Sequence, residues 1–225
     1  LYLVIFDCDG TLIDSQAAIL HGLEAAFRSA DLKMPDRRAA LSIVGLSLEV
    51  ALLRLAGEEN RQHIQSMAEA YRTSQIALRE TGATDPLYPG AMAALDLLSA
   101  RDDVLLGVAT GKALRGVVHM EESHGLTGRF ITRQTADRAP SKPHPAMIHQ
   151  AMEETGADPH RTVMIGDTSF DMEMAKNAGV AALGVSWGYH DAELLTDAGA
   201  RGVIDHFDQL DAALSGIFDW KKEVA

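Results

Sequence analysis

Two pairs of aspartates lie at the ends of short apolar runs, each beside a glycine. In Phe6-Asp7-Cys8-Asp9-Gly10-Thr11-Leu12 the carboxylates stand at i and i+2; in Ile165-Gly166-Asp167-Thr168-Ser169-Phe170-Asp171 they stand at i and i+4. Carboxylates two apart after a strand point into one turn, and Gly10 lets the backbone bend sharply beneath them. Such a pair can divide labour, one as nucleophile and one as general acid and base. The wider pair puts Asp171 one turn into a helix, facing back toward the loop mouth. Hard oxygen donors of this kind suit Mg²⁺. Val108-Ala109-Thr110-Gly111-Lys112 adds a hydroxyl and the N–H groups of a helix start, both candidates for phosphate oxygens. Ser141-Lys142-Pro143-His144-Pro145 holds a lysine in a loop stiffened by proline. Each segment also has a plainer reading: an acidic turn, an N-cap at Thr110 or Asp167, a solvent-facing Lys142, a structural His144. Their occurrence together, each after an apolar run, points to one site that handles phosphate.

The elements that must position these residues are legible from periodicity. Leu3–Phe6, Val104–Ala109, Thr162–Ile165, Ala181–Val185 and Gly202–Ile204 read as buried parallel strands. Helices are predicted at Met92–Arg101, Ala113–Ser123, Pro145–Thr155, Phe170–Ala178 and Ala192–Ala198. This alternation predicts an α/β fold with a doubly wound parallel sheet, whose ligands sit beyond the carboxyl ends of the strands. Asp14 to Asp85 is different: apolar positions recur at helical spacing in Ile19–Leu20–Leu23–Ala26–Phe27, Val50–Leu53 and Met67–Leu78, with no strand. The stretch is far longer than a crossover requires. It predicts a helical domain at residues 15–86 inserted into a core formed by 1–14 and 87–225, with Leu87-Tyr88-Pro89-Gly90 as the returning hinge. The tail Lys221–Ala225 is expected to fray.

Composition limits the partners. With 32 acidic and 20 basic residues the formal charge is −12, a field that repels nucleic acid and anionic lipid. It repels a phosphate ester too, so a phosphate site needs a local cation, such as a metal or Lys142. The single cysteine, Cys8, excludes an internal disulfide and suits a reducing cytoplasm. No apolar run is long enough for a membrane span. Leu1–Phe6 lacks a basic leader and reads as a strand, and the missing initiator Met implies a residue or two before Leu1.

In these four segments and the insert, the sequence resembles the haloacid dehalogenase superfamily of phosphatases over essentially its whole length. The resemblance implies a five-stranded parallel, Rossmann-like core and a helical cap that closes over the substrate. It implies that Asp7 attacks phosphorus and becomes an aspartyl phosphate, while Asp9 protonates the leaving oxygen and then deprotonates the hydrolytic water. Asp7, Asp167 and the main-chain carbonyl of Asp9 would bind Mg²⁺. Thr110, Gly111 and Lys142 would hold phosphoryl oxygens, and Asp171 would orient Lys142 or a metal-bound water. Dehalogenase members lack the second aspartate, so Asp9 disfavours dehalogenation. Mutases of the β-phosphoglucomutase type tend to carry a cap arginine where this chain has Leu48. Gly45–Leu48, Lys142–Pro145 and Trp187-Gly188-Tyr189 resemble phosphoglycolate phosphatase-like members. A phospho-acceptor signalling module is the remaining alternative, but such receivers are shorter and lack an insert. The expectation is a Mg²⁺-dependent phosphatase of a small phosphorylated metabolite, with phosphoglycolate a candidate, acting as a monomer or weak homodimer. His21, on the first insert helix, has no assigned role.

Overall fold

The computed structural model describes residues 1–218 and 220; the expectation for Lys221–Ala225 lies outside them. Six parallel strands form one sheet, β1 (Tyr2–Phe6), β2 (Val104–Thr110), β3 (Thr132–Thr135), β4 (Thr162–Gly166), β5 (Ala181–Val185) and β6 (Val203–Ile204), in the order β3-β2-β1-β4-β5-β6. The five strands expected from the sequence are all present. β1 is central, and its alternate side chains feed different cores. Val4 and Phe6 join one cluster with Val163, Ile165 and Leu183, while Leu3 and Ile5 join another with Met164 and Met172. A strand buried on both faces has no polar alternation, which is why β1 reads as a continuous apolar run.

The helices on the two faces are α5 (Ala91–Ser99), α6 (Leu114–His124), α7 (Ala146–Thr155), α8 (Ser169–Ala178), α9 (Ala192–Asp197) and α10 (Leu210–Phe218). Between β1 and α5 run α1 (Gln16–Ser29), α2 (Arg37–Leu41), α3 (Leu48–Ala56) and α4 (Ile64–Glu80), with a 3₁₀ turn at Glu58–His63 and no strand. These four helices have an apolar cluster of their own, including Leu23, Phe27, Leu52 and Met67; from the sheet side Phe170 of α8 joins it and Tyr189 packs against it. The chain leaves and re-enters the sheet side by side. Ile13 bridges Leu87 antiparallel, Asp14 N–H donates to Pro86 O at 2.8 Å, and Tyr88 N–H donates to Leu12 O at 2.9 Å.

Two elements correct the sequence reading. The sheet has a sixth strand, β3, where five were expected, because Thr132-Arg133-Gln134-Thr135 contains no apolar residue to signal it. Its side chains are satisfied by partners instead of apolar packing: Gln134 Nε2 donates to Thr132 Oγ1 at 2.8 Å, and Arg133 makes a two-pronged pair with Glu121 at 2.6 and 2.9 Å. The second is α10, which had no predicted counterpart although it buries Leu210, Leu214 and Phe218 at helical spacing. That four-residue period was a usable signal.

Candidate active site

Strand register brings the site together. Phe6 pairs with Val108 on one side and Ile165 on the other, so the residues after β1, β2 and β4 emerge at one level. Asp7 N–H donates to Ile165 O at 2.9 Å and extends the ladder by one bond. Its Oδ1 accepts from Cys8 N–H at 2.6 Å. Gly10 has a φ of +82°, and a β-carbon there would stand 2.2 Å from Asp167 Oδ2. The turn therefore needs glycine both for its backbone and for the approach of a carboxylate from β4.

Asp7, Lys142, Asp167 and Asp171 form a buried cluster. Lys142 Nζ stands 2.8 Å from Asp7 Oδ2 and 2.6 Å from Asp171 Oδ1, with all three side chains sealed from solvent. The solvent-facing reading of Lys142 is thereby excluded. Asp171 Oδ2 accepts from Thr168 N–H at 3.1 Å and from Thr168 O–H at 2.7 Å, which aims its other oxygen at Lys142. Thr168, not Asp167, is the N-cap of α8. Asp167 instead accepts from Thr11 O–H at 2.9 Å and Tyr189 N–H at 2.9 Å. Burial pushes the Asp7 carboxyl up to about 6, against the opposing pull of Lys142 and with a further push from Asp171. Burial, and then the charges of Asp171 and Asp7, raise Asp167 well above the carboxylate range. Burial pulls Lys142 down, but Asp171 and Asp7 more than offset it, so the lysine stays charged.

This cluster fits a divalent cation. Asp7, Asp167 and Asp171 offer carboxylate oxygens within 4.8 Å of one another. With all three ionised, the buried carboxylates exceed the buried Lys142 ammonium by two negative charges, a costly arrangement in a low-dielectric interior and the reason Asp7 and Asp167 hold their protons more tightly. Asp7 Oδ2 is buried, and its partner is the Lys142 ammonium of the ion pair, with no further hydrogen bond. The donors are all oxygen, as Mg²⁺ requires.

Asp9 points elsewhere. Its Oδ1 lies 2.9 Å from Lys112 Nζ, at the floor of a cleft between α1–α4 and the sheet. In the sequence, the position of Lys112 just before a helix is the one hint of a role for it. Thr110 is buried and does not cap α6, whose N-cap is Ala113; its Oγ1 accepts from Lys112 N–H at 3.3 Å. Gly111 lies under the insert, since a β-carbon there would be 2.4 Å from Leu46 O. The Gly45–Leu48 segment thus arches over the end of β2, and Ser47 N–H donates to Ser141 Oγ at 2.8 Å beside Lys142. Trp187 Nε1 donates to Thr11 O at 3.1 Å, and the Tyr189 hydroxyl meets Ser15 Oγ at 3.2 Å, so both aromatics brace the turn after β1. His144 accepts from Ala146 N–H at 3.2 Å, the structural role expected of it. His21 does not line the cleft; with His119 and His124 it lines an adjoining cavity that shares Arg79 and Lys112 with the cleft.

A parallel α/β sheet with an all-helical insert after β1, and carboxylates and a lysine converging at its carboxyl edge, defines a class of hydrolases. The haloacid dehalogenase-like hydrolase family matches residues 4–185, and the chain belongs to that family. It is 38% identical over 215 residues to "Probable phosphatase IndB" of Dickeya dadantii, covering 92% of this chain and 91% of that protein. It is 32% identical over 217 residues to a phosphoglycolate phosphatase of Agrobacterium fabrum, covering 94% and 91%. A hydrolase from Pseudomonas syringae superposes with a TM-score of 0.84 at 23% identity, covering 96% of this chain and 99% of that one. A β-phosphoglucomutase from Clostridium difficile gives 0.81 at 19% identity, covering 97% of each. At those identities the solved structures speak for the fold alone.

Proposed function

We propose that the chain is a Mg²⁺-dependent phosphatase that hydrolyses small phosphate monoesters through phosphorylated Asp7. The observation that carries this reading is the buried Asp7–Lys142–Asp171 arrangement beside Asp167, with Asp9 two residues on and facing the cleft. Asp7 attacks phosphorus; a carboxylate–phosphorus bond forms as the ester oxygen departs with a proton from Asp9. Asp9 then takes a proton from water, the water oxygen bonds to phosphorus, and Asp7 is released. Thr110, Gly111 and Lys142 hold phosphoryl oxygens, and Asp171 orients Lys142. Asp7, Asp167 and the main-chain carbonyl of Asp9 would hold Mg²⁺, which when bound offsets charge on the transferring group. Residues 15–86 act as the cap. Leu48 lines the cleft with an apolar side chain where the resemblance to mutases calls for arginine, which favours transfer to water. The buried, unpaired Cys8 is compatible with a reducing cytoplasm, and no helix among the described residues is long and apolar enough to cross a membrane.

The phosphoglycolate phosphatases among the relatives make phosphoglycolate a candidate substrate. The test is phosphate release with Mg²⁺ across phosphoglycolate, sugar phosphates, nucleotides and pyrophosphate, by the wild type and by Asp7→Asn. Turnover of at least one ester, lost in a folded Asp7→Asn protein, is expected. Turnover retained by that variant would overturn the role of Asp7.

A further inference from the structure

The cleft beyond Asp9 encloses a cavity of about 340 Å³, within the range of small-molecule sites. Its cap-side wall is apolar, built from Ile19, Leu23, Val44 and Leu48. The polar part of the lining comes from both sides, with Tyr71 and Arg79 on α4 and Arg115 on α6. Burial pushes the Tyr71 hydroxyl up to about 12, so it presents a neutral O–H.

The charges lining this cavity do not balance one another. Its three carboxylates are each engaged by groups other than Arg79 and Arg115. Asp9 pairs with Lys112, Glu49 pairs with Arg72, and Asp137 accepts from Leu114 N–H at 3.1 Å and Thr135 O–H at 2.6 Å. Arg79 and Arg115 have no such partner: among the described residues, neither lies within 4.0 Å of a carboxylate oxygen. Arg79 extends from α4 of the cap onto the first turn of α6, where its Nη2 would be 3.5 Å from a β-carbon on Gly116, next in sequence to Arg115. Burial and then the neighbouring Arg115 charge lower the pKa of Arg79, against weaker opposing pulls from Tyr71, Asp85 and Asp9. Two guanidinium groups that repel one another in a chain of net charge −12 are a poor arrangement for the protein alone, and a good one for an anionic ligand.

We propose that the substrate's leaving group is an amphipathic alcohol, with an apolar body against the Ile19–Leu48 wall and a second anionic group held between Arg79 and Arg115. The inference rests on the phosphatase reading of the site and narrows its substrate class. A two-carbon acid such as glycolate would leave most of the cavity unfilled. Because Arg79 belongs to the cap and Arg115 to the sheet domain, the second anion ties one to the other and favours the closed cleft.

A matched series tests it: hexyl phosphate, its ω-carboxylate analogue, hexanediol bisphosphate and phosphoglycolate. The kcat/KM of the two doubly anionic hexyl esters should exceed that of hexyl phosphate about tenfold or more, with phosphoglycolate below them, as expected for a charge-assisted pair. Which of the two is better identifies the second group as carboxylate or phosphate. In Arg79→Gln and in Arg115→Gln the ratio of ω-carboxylate ester to hexyl phosphate should fall by about the same factor. A wild-type ratio near unity, or one that both variants leave unchanged, would overturn the proposal. Calorimetric Kd values with the Asp7→Asn protein separate this idea from the chemistry. Arginine-dependent binding without phosphate release by the wild type would uphold the anion site and sink the phosphatase reading. Phosphate release without arginine dependence would do the reverse.

Discussion

Asp9 and Asp7 are two residues apart, yet they face different partners, Lys112 and Lys142, which suits the division of labour proposed for them. Lys112 is pulled down by burial but raised overall by Asp9, so it remains charged and fixes the Asp9 carboxylate toward the cleft. Asp9→Asn should lower kcat by roughly 10²–10⁴, the usual span for a general acid, with alkyl phosphates suffering more than p-nitrophenyl phosphate. Equal losses on both esters would contradict the acid role. Lys112→Gln should slow alkyl esters by a smaller factor than Asp9→Asn does, and equal losses would show that the lysine does more than position Asp9. Asp7 supports a stability prediction of opposite sign to its catalytic one. A carboxyl raised from 3.8 to about 6 destabilises the metal-free fold progressively as pH rises through that window. In EDTA, Asp7→Asn should therefore melt above the wild type by a margin that opens from pH 3.8 to about 6. Each ~1 kcal/mol of that margin corresponds to roughly 2–4 °C for a chain of this size. With Mg²⁺ present the order should reverse; a variant that melts lower in EDTA at every pH would show that the acidic cluster is not frustrated.

The elements around the site were unequally legible. Strands that carry Asp7, Thr110 and Asp167 are buried on both faces, so their apolar runs gave them away, and with them the positions of the site residues. The direction of side chains was not legible: nothing in Thr110-Gly111-Lys112 says that Lys112 reaches Asp9, because that contact is made by folding β2 against β1. β3 was invisible for the opposite reason, its burial being secured by hydrogen bonds and not by hydrophobicity. The insert was legible as helices, but not the way it rests on the sheet. Ser47 N–H on Ser141, His190 Nε2 on Ser42 O at 3.0 Å, and Phe170 within the insert's apolar cluster hold it there. Phe170→Ala removes the apolar part of that docking, and should raise KM and lower thermal stability by about 3–5 kcal/mol, the range for a buried phenylalanine. Unchanged KM would show that the insert is placed by other contacts.

For the whole molecule, charge is the governing quantity. A net −12 opposes an anionic substrate, so catalysis depends on local cations, and removal of the metal should be felt both as activity and as stability. EDTA should stop turnover reversibly. Mg²⁺ at about 100 times its Kd should raise stability by roughly 2.7 kcal/mol by mass action alone. Activity that survives chelation would contradict the proposed metal. Added salt should lower KM as the long-range repulsion is screened. The polar strand that escaped the sequence reading has a consequence for how the molecule behaves in a crowded solution. β3 and β6 are the two margins of the sheet, where unpaired N–H and C=O groups could recruit another chain. One margin is only two residues long and the other is four polar residues anchored by Arg133 and Glu121. Neither offers a flat apolar template, so the sheet is guarded at both ends against fusing with its neighbours, and Arg133→Val should make the protein precipitate at concentrations the wild type tolerates.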